Sequence, residues 1–449
     1  MVVRIAISYI DAQCSEWLTE IELQRMHSFL IRRYIVVLLF ALPAGAPLSA
    51  QDLAAIEPDR VGMSLERLER IDDVLQRYID DRQLPGAALL VARRGSIVYH
   101  KAFGFRDVES GATLRTDDLF RIASQTKALV SVGIMMLQER GDLLISDPLH
   151  AYIPAFDSMK VAVAEDGDTY EIVDAERPIT LRHLLTHTSG IGYGWGPAAD
   201  LWVEAGIQGW YFADRDEPIG TTVERMAGLP IDAQPGDTFV YGYSTDILGG
   251  VIERVSGQPL DEFLRAEILD PLRMHDTHFY VPVEDAERLT TVYSREDQAF
   301  SRAPDPGHMV GQGAYLSGPR KSFSGGAGLV STPGDYARFL EMLRRGGELD
   351  GARILSPKTI ELMTVDHLGE VSFGEGEGFG LGFSVLEDLG SRSVPGSVGE
   401  YGWGGAYHSS YWVDPQEELV VVYMTQVIPA DGLDDAAKVR ALIYQAIVE

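Results

Sequence analysis

Apolar residues recur at helical and then at strand spacing in the N-terminal part of this chain. Between Ser64 and residue 82 they follow one another every three or four positions, which predicts an amphipathic helix capped by Ser64. Two apolar runs, residues 86–92 and 97–103, flank the turn sequence Arg93-Arg94-Gly95-Ser96. This pattern predicts a β-hairpin directly after the helix.

The C-terminal part shows the same kind of alternation. Three strand-like runs, Phe379–Leu386, Gly404–Trp412 and Leu419–Thr425, are separated by turn residues. A helical pattern from about Asp434 to Val448 follows them. Residues 141–320, in contrast, are rich in helix and loop signals, so strands are expected mainly toward both ends of the chain.

An apolar helix with two polar interruptions lies between these regions. From Lys127 to Leu137 nearly every residue is small or apolar, and Gly141 provides a stop signal. A helix that is apolar on all sides is buried. Ser124 and Lys127 interrupt the pattern three residues apart, so they share one face. No other lysine of the chain has a serine three positions before it.

This serine and lysine pair has two interpretations. In the catalytic one, Ser124 lies at the helix start, where free N–H groups favour developing negative charge, and desolvated Lys127 takes the serine proton as a neutral amine. In the structural one, Ser124 caps the helix and Lys127 extends toward solvent. The motif alone does not decide between them, because S-x-x-K is short.

Further positions suit the catalytic interpretation. Tyr241 lies in a glycine-flanked turn before an apolar helix, where its hydroxyl could relay a proton. Gly404 and Gly405 lie in a strand-like run, where glycine marks the close approach of a backbone or ligand and leaves N–H groups that can hold an oxyanion. His187 could act as a base, although a histidine that caps the end of the preceding helix is the favoured interpretation.

Residues 191–220 are rich in glycine and aromatic residues. The aromatic residues are Tyr193, Trp195, Trp202, Trp210, Tyr211 and Phe212. Such a loop could cover an apolar pocket or could be a packed surface loop, and the sequence leaves both interpretations open.

Composition restricts the class of protein and its partners. The chain has 449 residues, of which 45% are hydrophobic, so it is globular with a large core. Its formal net charge of −29 argues against binding to nucleic acid or anionic membranes. The single cysteine, Cys14, precedes the folded body. That body therefore has no disulfide framework, Cys–Cys zinc site or cysteine nucleophile.

The N-terminal segment predicts export. Residues 34–42 form a short apolar run that two arginines precede and small residues follow, which is typical of a secretory signal peptide. The run is shorter than the ~20 residues of a spanning helix, so no stable membrane anchor is expected. Residues 1–25 contain several acidic residues that do not suit a signal peptide. We therefore expect an upstream extension over 1–25, initiation at Met26, a signal peptide over 26–50 and a periplasmic or secreted product.

Three motifs occur in the order of a known superfamily. Ser124-x-x-Lys127, Tyr241-x-Tyr243 and Trp403-Gly404-Gly405 resemble those of serine β-lactamases, penicillin-binding peptidases and their esterase relatives. The resemblance covers essentially everything after Gln51. It looks closest to the class C-like branch known as family VIII carboxylesterases.

This resemblance implies an α+β fold of the β-lactamase/transpeptidase type. An antiparallel sheet flanked by helices would come from residues 51–120 and 321–449. A mostly helical region would come from residues 121–320 and include the aromatic loop 191–220. The site would lie between the two parts.

The resemblance also implies roles for individual residues. Ser124 would be the nucleophile, Lys127 and Tyr241 its partners in proton transfer, and the N–H groups of Ser124 and Ala406 the oxyanion hole. The substrate-binding residues would be Tyr243, Trp403, Gly404 and Gly405. No metal and no cofactor would be required.

Two departures from the class C pattern bear on the substrate. Tyr243 stands where those enzymes usually have asparagine, and Trp403 stands where they have lysine. Loss of a cation removes an anion site and adds an aromatic wall. We therefore expect a serine carboxylesterase that favours small esters with short acyl chains, with β-lactam hydrolysis at most a weak side activity.

Three alternatives remain open at this point. The chain could be a true class C-like β-lactamase, or a D-alanyl peptidase or other amide hydrolase. It could also be a catalytically idle protein that binds cell-wall fragments. In each case the partner is a small molecule, and the sequence does not predict the oligomeric state.

Overall fold

The computed structural model describes residues 53–166, 169–296 and 299–449. Its strands are β1 (Gly86–Arg93), β2 (Ser96–Asp107), β3 (Ala112–Thr113), β4 (Phe120–Arg121), β5 (Lys160–Ala164), β6 (Tyr170–Asp174), β7 (Tyr293–Glu296), β8 (Ala299–Arg302), β9 (Val330–Ser331), β10 (Glu348–Leu349), β11 (Ala352–Arg353), β12 (Glu377–Phe379), β13 (Ser384–Leu386), β14 (Tyr401–Gly405), β15 (Ser409–Asp414) and β16 (Leu419–Met424). Its α-helices are α1 (Leu65–Leu68), α2 (Arg70–Asp80), α3 (Thr126–Arg140), α4 (Leu181–Leu185), α5 (Ala199–Glu204), α6 (Ile219–Met226), α7 (Ser244–Ser256), α8 (Leu260–Leu264), α9 (Pro333–Arg344), α10 (Pro357–Met363) and α11 (Asp435–Tyr444).

The main sheet joins strands from both ends of the described chain. Its order is β12-β13-β14-β15-β16-β1-β2-β3, and neighbouring strands are antiparallel. The seam lies between β1 and β16, where Ala88 pairs with Met424. A second contact beside this seam joins Met63 to Ile447. The α+β fold with an antiparallel sheet flanked by helices is thus confirmed.

The hairpin predicted near residue 94 is present as β1 and β2. Arg94 and Gly95 form its turn, with φ angles of 51° and 80°. Two successive positive φ angles are the conformation of the two-residue turns that match the twist of a hairpin. Arg94 takes this conformation although it is not glycine.

Helices cover both faces of the sheet. On one face, Leu89 and Val421 of the sheet form a core with the apolar sides of α1, α2 and α11. The residues that these helices contribute include Leu68, Ile71, Leu75, Val439 and Ile443. On the other face, α9 packs against β1, β15 and β16.

Two predicted strands turn out to be hairpins. The run Phe379–Leu386 contains the end of β12 and all of β13, with Gly382 at φ 99° in the turn between them. The run Gly404–Trp412 is divided in the same way between β14 and β15. The pattern missed the first turn because Leu381 and Phe383, which lie in it, are fully buried. Apolar residues therefore continue through the turn as they would along a strand.

The apolar helix predicted around Lys127 is α3. Its residues from Thr126 to Leu137 are buried, and Gly141 ends it in the left-handed conformation at φ 79°. Helices α7 and α8 pack against it within the middle region. The division into 51–120 plus 321–449 and 121–320 stays a prediction. The predicted extension 1–25 and signal peptide 26–50 lie outside the described residues, and no described helix is long and apolar enough to cross a membrane.

Replacing Leu89 with alanine should destabilise the fold. Leu89 is fully buried between the sheet and the helices. A cavity at such a site costs about 2–5 kcal/mol in the free energy of unfolding. Urea unfolding checks this value, with Leu65→Ala as the control, because Leu65 is 45% exposed. Equal effects of the two substitutions would contradict the assignment of this core.

Candidate active site

Ser124 lies in the short connection between β4 and α3. It belongs to a 3-10 turn, Ala123–Gln125, and is half-buried. Ala123 has a φ of 42°, a left-handed backbone conformation that residues other than glycine rarely adopt. The side chain of Ser124 does not cap α3, since the N-cap residue is Gln125 and makes no side-chain cap bond.

Lys127 is buried beside Ser124 and does not extend toward solvent. Its side chain is 3% exposed, and Nζ lies 3.3 Å from Ser124 Oγ. Nζ also donates to the Tyr193 hydroxyl at 3.0 Å and to the Gly326 carbonyl at 2.8 Å. These three oxygens fix the amine beside the serine, which is the arrangement of a nucleophile with an adjacent base.

A buried aspartate supports the loop that holds Lys127. Asp246 Oδ1 accepts hydrogen bonds from the Ser324 hydroxyl at 2.6 Å and from the Gly326 N–H at 3.1 Å. Burial raises the pKa of Asp246, while its hydrogen bonds and the charge of Lys127 act in the opposite direction. A Cβ on Gly326 would lie 2.3 Å from Asp246 Oδ2, so the loop requires glycine there.

Tyr193 belongs to this centre, although the sequence analysis named it only as one aromatic residue of the loop. Its hydroxyl is the Lys127 partner described above, and burial raises its pKa well above the usual value. Its position in the aromatic loop 191–220 is the one signal in the sequence that could have identified it.

Tyr241 lies on the other side of Lys127. Its ring centroid is 4.6 Å from Lys127 Nζ, and its hydroxyl accepts a hydrogen bond from Trp403 Nε1 at 2.9 Å. Within the described chain no hydrogen bond joins the Tyr241 hydroxyl to Ser124 or Lys127. Tyr241 is thus adjacent to the predicted partners, but its hydroxyl is bound to the tryptophan.

The two tyrosines meet because their backbone segments pack directly together. A Cβ on Gly242 would lie 2.3 Å from the Ile191 carbonyl oxygen. The hydroxyls of Ser189 and Ser244 lie 2.9 Å apart and join the same two segments. Glycine at position 242 therefore permits the contact of Tyr193 with Tyr241, whose rings are 5.7 Å apart.

The glycines of the third motif bring β14 against the segment that carries Ser124. A Cβ on Gly405 would lie 2.5 Å from the Ile122 carbonyl oxygen, two residues before Ser124. Gly404, Gly405 and Ala406 line the same cavity as Ser124. This is the close backbone approach that the glycine pair predicted.

Tyr243 does not line the pocket, and this expectation is corrected by the structure. Its side chain is fully buried, and its hydroxyl donates to the Gly209 carbonyl at 2.6 Å. The ring packs against Trp202 and Tyr193. Tyr243 therefore supports the aromatic loop from behind, because the turn that presents Tyr241 directs the residue two positions later inward.

His187 is neither a base for Ser124 nor a side-chain cap. Its ring is buried and packs against Tyr241, with centroids 4.7 Å apart. Burial, and then the charge of Lys127, lower its pKa well below the usual range. The Nδ1 atom has no hydrogen-bond partner among the described residues. His187 does end the preceding helix, since its backbone has a φ of 54° and its N–H donates to the Leu184 carbonyl, whereas its side chain supports the tyrosine ring.

The pocket in front of Ser124 has a volume of about 460 Å³, and we call it the active-site pocket. Its lining residues are Ser124, Tyr193, Trp195, Trp210, Tyr241, Trp403, Gly404, Gly405 and Ala406. None of these residues carries a formal charge. Trp195 is 56% exposed, while Trp202 and Phe212 are buried. The aromatic loop therefore forms part of the pocket wall with some of its residues and packs into the core with others.

One cluster elsewhere has the composition of a metal site. Among the described residues, Asp276, His278 and Asp285 bring ligand atoms within 4.8 Å of one another. Arg288 Nη1 already donates to Asp276 at 2.7 Å and to Asp285 at 2.9 Å. The guanidinium therefore supplies the positive charge that these carboxylates require.

The fold and this site define a serine-type centre of the β-lactamase class. A family model described as Beta-lactamase matches residues 71–445. The chain therefore belongs to the β-lactamase family, which confirms the resemblance seen in the three motifs.

Individual relatives cover most of the chain. Protein Rv1367c of Mycobacterium tuberculosis is 34% identical over 379 residues, which are 81% of this chain and 91% of that protein. Esterase EstB of Burkholderia gladioli is 32% identical over 399 residues, or 83% and 94% of the two chains. The solved structure of EstCE1, described as a hydrolase with promiscuous acyltransferase activity, is 28% identical with a TM-score of 0.73. It covers 84% of this chain and 99% of its own.

A half-buried carboxylate borders the aromatic loop. Asp232 lies so close to the loop backbone that a Cβ on Gly192 or Gly196 would come within 2.1 Å of its oxygens. Burial raises the pKa of Asp232 to about 6. The folded chain therefore holds this proton more tightly than the unfolded chain. Stability should decrease as pH rises from about 4 to about 6 and then remain constant with respect to this group.

Replacing Asp232 with asparagine should remove the free-energy cost of holding a charged carboxylate at this position above about pH 6. We expect the free energy of unfolding to increase by about 1–2 kcal/mol at pH 8, after allowance for partial solvent screening. At pH 4, where the aspartate is protonated, the difference should disappear. Urea unfolding at both pH values measures it, and Asp142→Asn is the control because Asp142 is exposed. A stabilisation that is the same at both pH values would contradict the titration of Asp232.

Proposed function

We propose that this protein is a serine carboxylesterase that cleaves small neutral esters through an acyl-enzyme. The observation that carries the proposal is the position of Lys127 Nζ, 3.3 Å from Ser124 Oγ, at the base of an uncharged pocket. A protein that only binds ligands has no need of a buried amine at a serine hydroxyl. The named activity of Esterase EstB supports the same reaction class.

The proposed reaction begins with attack of Ser124 Oγ on the ester carbonyl carbon. The neutral amine of Lys127 takes the hydroxyl proton, reversing the direction of the hydrogen bond between them. The N–H groups of Ser124 and Ala406 hold the oxyanion. Lys127 passes this proton through Tyr241 to the leaving alcohol, so both residues regain their starting protonation. Water then attacks the acyl carbon, and one of its protons returns by the reverse route to Ser124 Oγ as the acid leaves. No metal or cofactor takes part in this scheme.

The pocket wall favours esters over β-lactams. A β-lactam carries a carboxylate that is costly to desolvate unless a cation or donor meets it. Trp403 has one N–H group, and that group is already donated to the Tyr241 hydroxyl. The buried amine of Lys127 is similarly occupied by three oxygens. Neutral esters with short acyl chains place no charge on this wall.

The two alternative hydrolase activities would require a pocket that binds a charged substrate. A class C-like β-lactamase or a D-alanyl peptidase has to bind a substrate carboxylate, and no lining residue supplies a cation. Weak β-lactam hydrolysis remains compatible with the proposed acyl-enzyme chemistry.

For the cellular location, we propose export to the periplasm or medium after cleavage near Gln51, on the basis of the apolar run at 34–42.

Replacing Ser124 with alanine should abolish ester hydrolysis. Removal of a nucleophile lowers kcat by about 10⁴–10⁶-fold. The measurement is the hydrolysis of short p-nitrophenyl esters, with circular dichroism to check folding. Ser131→Ala is the matched control, since Ser131 is a buried serine of α3, the helix that follows Ser124, and does not line the pocket. More than a tenth of the original activity in Ser124→Ala would exclude the assignment.

Lys127, Tyr241 and Tyr193 should contribute unequally to kcat. Lys127→Ala and Tyr241→Phe should each lower kcat by about 10²–10⁴-fold, and the double variant should be little worse than the worse single one. Tyr193→Phe should cost less, because Lys127 keeps two of its three oxygen partners. Losses that multiply in the double variant would mean that Lys127 and Tyr241 act independently.

Replacing Trp403 with lysine should shift selectivity toward β-lactams. The new cation could meet a substrate carboxylate through one charge-assisted hydrogen bond. We expect the ratio of kcat/KM for nitrocefin to that for p-nitrophenyl acetate to rise by a factor that corresponds to about 1–3 kcal/mol of transition-state stabilisation. Trp195→Lys is the control, because it adds the same charge to the pocket at a more exposed position. An unchanged ratio in a folded Trp403 variant would show that selectivity lies elsewhere.

A further inference from the structure

A second cavity, of about 500 Å³, shares no lining residue with the active-site pocket. Arg121 of β4 lies in its wall, three residues before Ser124. We call this space the Arg121 cavity. The mechanism proposed above makes no use of it.

The guanidinium of Arg121 is buried, with its residue 3% exposed, and only part of it is satisfied. Its Nε donates to the Gln312 carbonyl at 2.8 Å, and Nη1 donates to the Thr290 carbonyl at 2.6 Å. A longer bond of 3.4 Å joins Nη1 to Gln426 Oε1. The guanidinium also lies 5.3 Å from the Tyr315 ring centroid, but within the described residues Nη2 has no acceptor and no carboxylate lies at ion-pair distance. A buried cation in this state is costly, and an anion would compensate it.

The other two arginines of the cavity wall are already compensated. Arg106 pairs with the buried Asp118 at 3.2 Å. Arg302 pairs with Asp107 and with Glu109. Arg121 is therefore the cation of this cavity whose charge is available to a ligand.

The remaining wall restricts the kind of anion. Glu287 and Asp305 also line the cavity and are exposed, so they disfavour a ligand with several negative charges. Leu289 and Leu316 add apolar surface. The volume exceeds that of a carboxylate group alone, so a short apolar chain fits beside these leucines.

We propose that the Arg121 cavity binds a small monocarboxylate with a short apolar chain. A carboxylate oxygen accepts the free N–H groups of Nη2, and the chain lies against the two leucines. Binding ties the ligand to β4, the strand that leads to Ser124. The proposal does not depend on the esterase assignment, because it rests on the contacts of Arg121 and its test measures binding.

The test is calorimetric titration of the purified protein with butyrate at constant ionic strength. We expect saturable binding in the millimolar range, typical of one charge-assisted contact on a small ligand. Butyramide, which lacks the charge, and inorganic phosphate, which is partly a dianion, should each bind at least about tenfold more weakly. Phosphate that binds more tightly than butyrate would overturn the monocarboxylate assignment.

Two variants locate the binding. Arg121→Met should weaken butyrate at least about tenfold. Ala286→Phe, which fills the cavity from its half-buried wall, should do the same even if the arginine variant does not fold. Arg225→Met, an exposed arginine outside the cavity, and Trp210→Ala, in the active-site pocket, should bind butyrate as the parent does. Absence of saturable binding up to about 100 mM butyrate, or unchanged affinity in Ala286→Phe, would overturn the proposal.

Discussion

The amine of Lys127 is the constraint on which the rest of the site depends. It needs three oxygens to remain buried, and these come from the Ser124 turn, the aromatic loop and the loop at Gly326. Each of these segments must approach closely. Asp246 therefore binds the Gly326 loop, and Gly242 lets the backbone of the Tyr241 turn touch that of the aromatic loop. Much of the local architecture follows from keeping this one amine out of water.

Trp403 donates a hydrogen bond to Tyr241, so its role in the third motif differs from that of the lysine that class C enzymes have at this position. The indole N–H points to a side chain of the protein, so Trp403 lines the pocket while its one donor is kept for Tyr241. One substitution in the motif thus alters both the electrostatics of the wall and the environment of a proposed proton carrier. This coupling explains why the two features should change together in any variant at position 403.

Features that depend on residues close together in the sequence could be predicted from the sequence alone. The pair Ser124 and Lys127, the hairpin at Arg94 and the buried helix α3 all depend on neighbours within one turn or one hairpin. The glycine pair at 404 and 405 correctly indicated a close approach, but its partner, the Ile122 carbonyl, is remote in sequence. Tyr193 and Tyr243 were assigned incompletely or wrongly for the same reason. Which of two neighbouring aromatic residues faces a pocket depends on the packing of distant segments, and periodicity carries no information on it.

The order of strands in the main sheet has a consequence for how the chain acquires its fold. Hairpin β1–β2 is synthesised early, yet its partner β16 belongs to the last part of the polypeptide. Closing so long a loop costs entropy before the pairing is gained, so such contacts form slowly. Until β16 arrives, β1 presents unpaired N–H and C=O groups along an apolar edge, a surface that promotes aggregation. The nascent polypeptide therefore depends on protection of this edge until β16 has emerged.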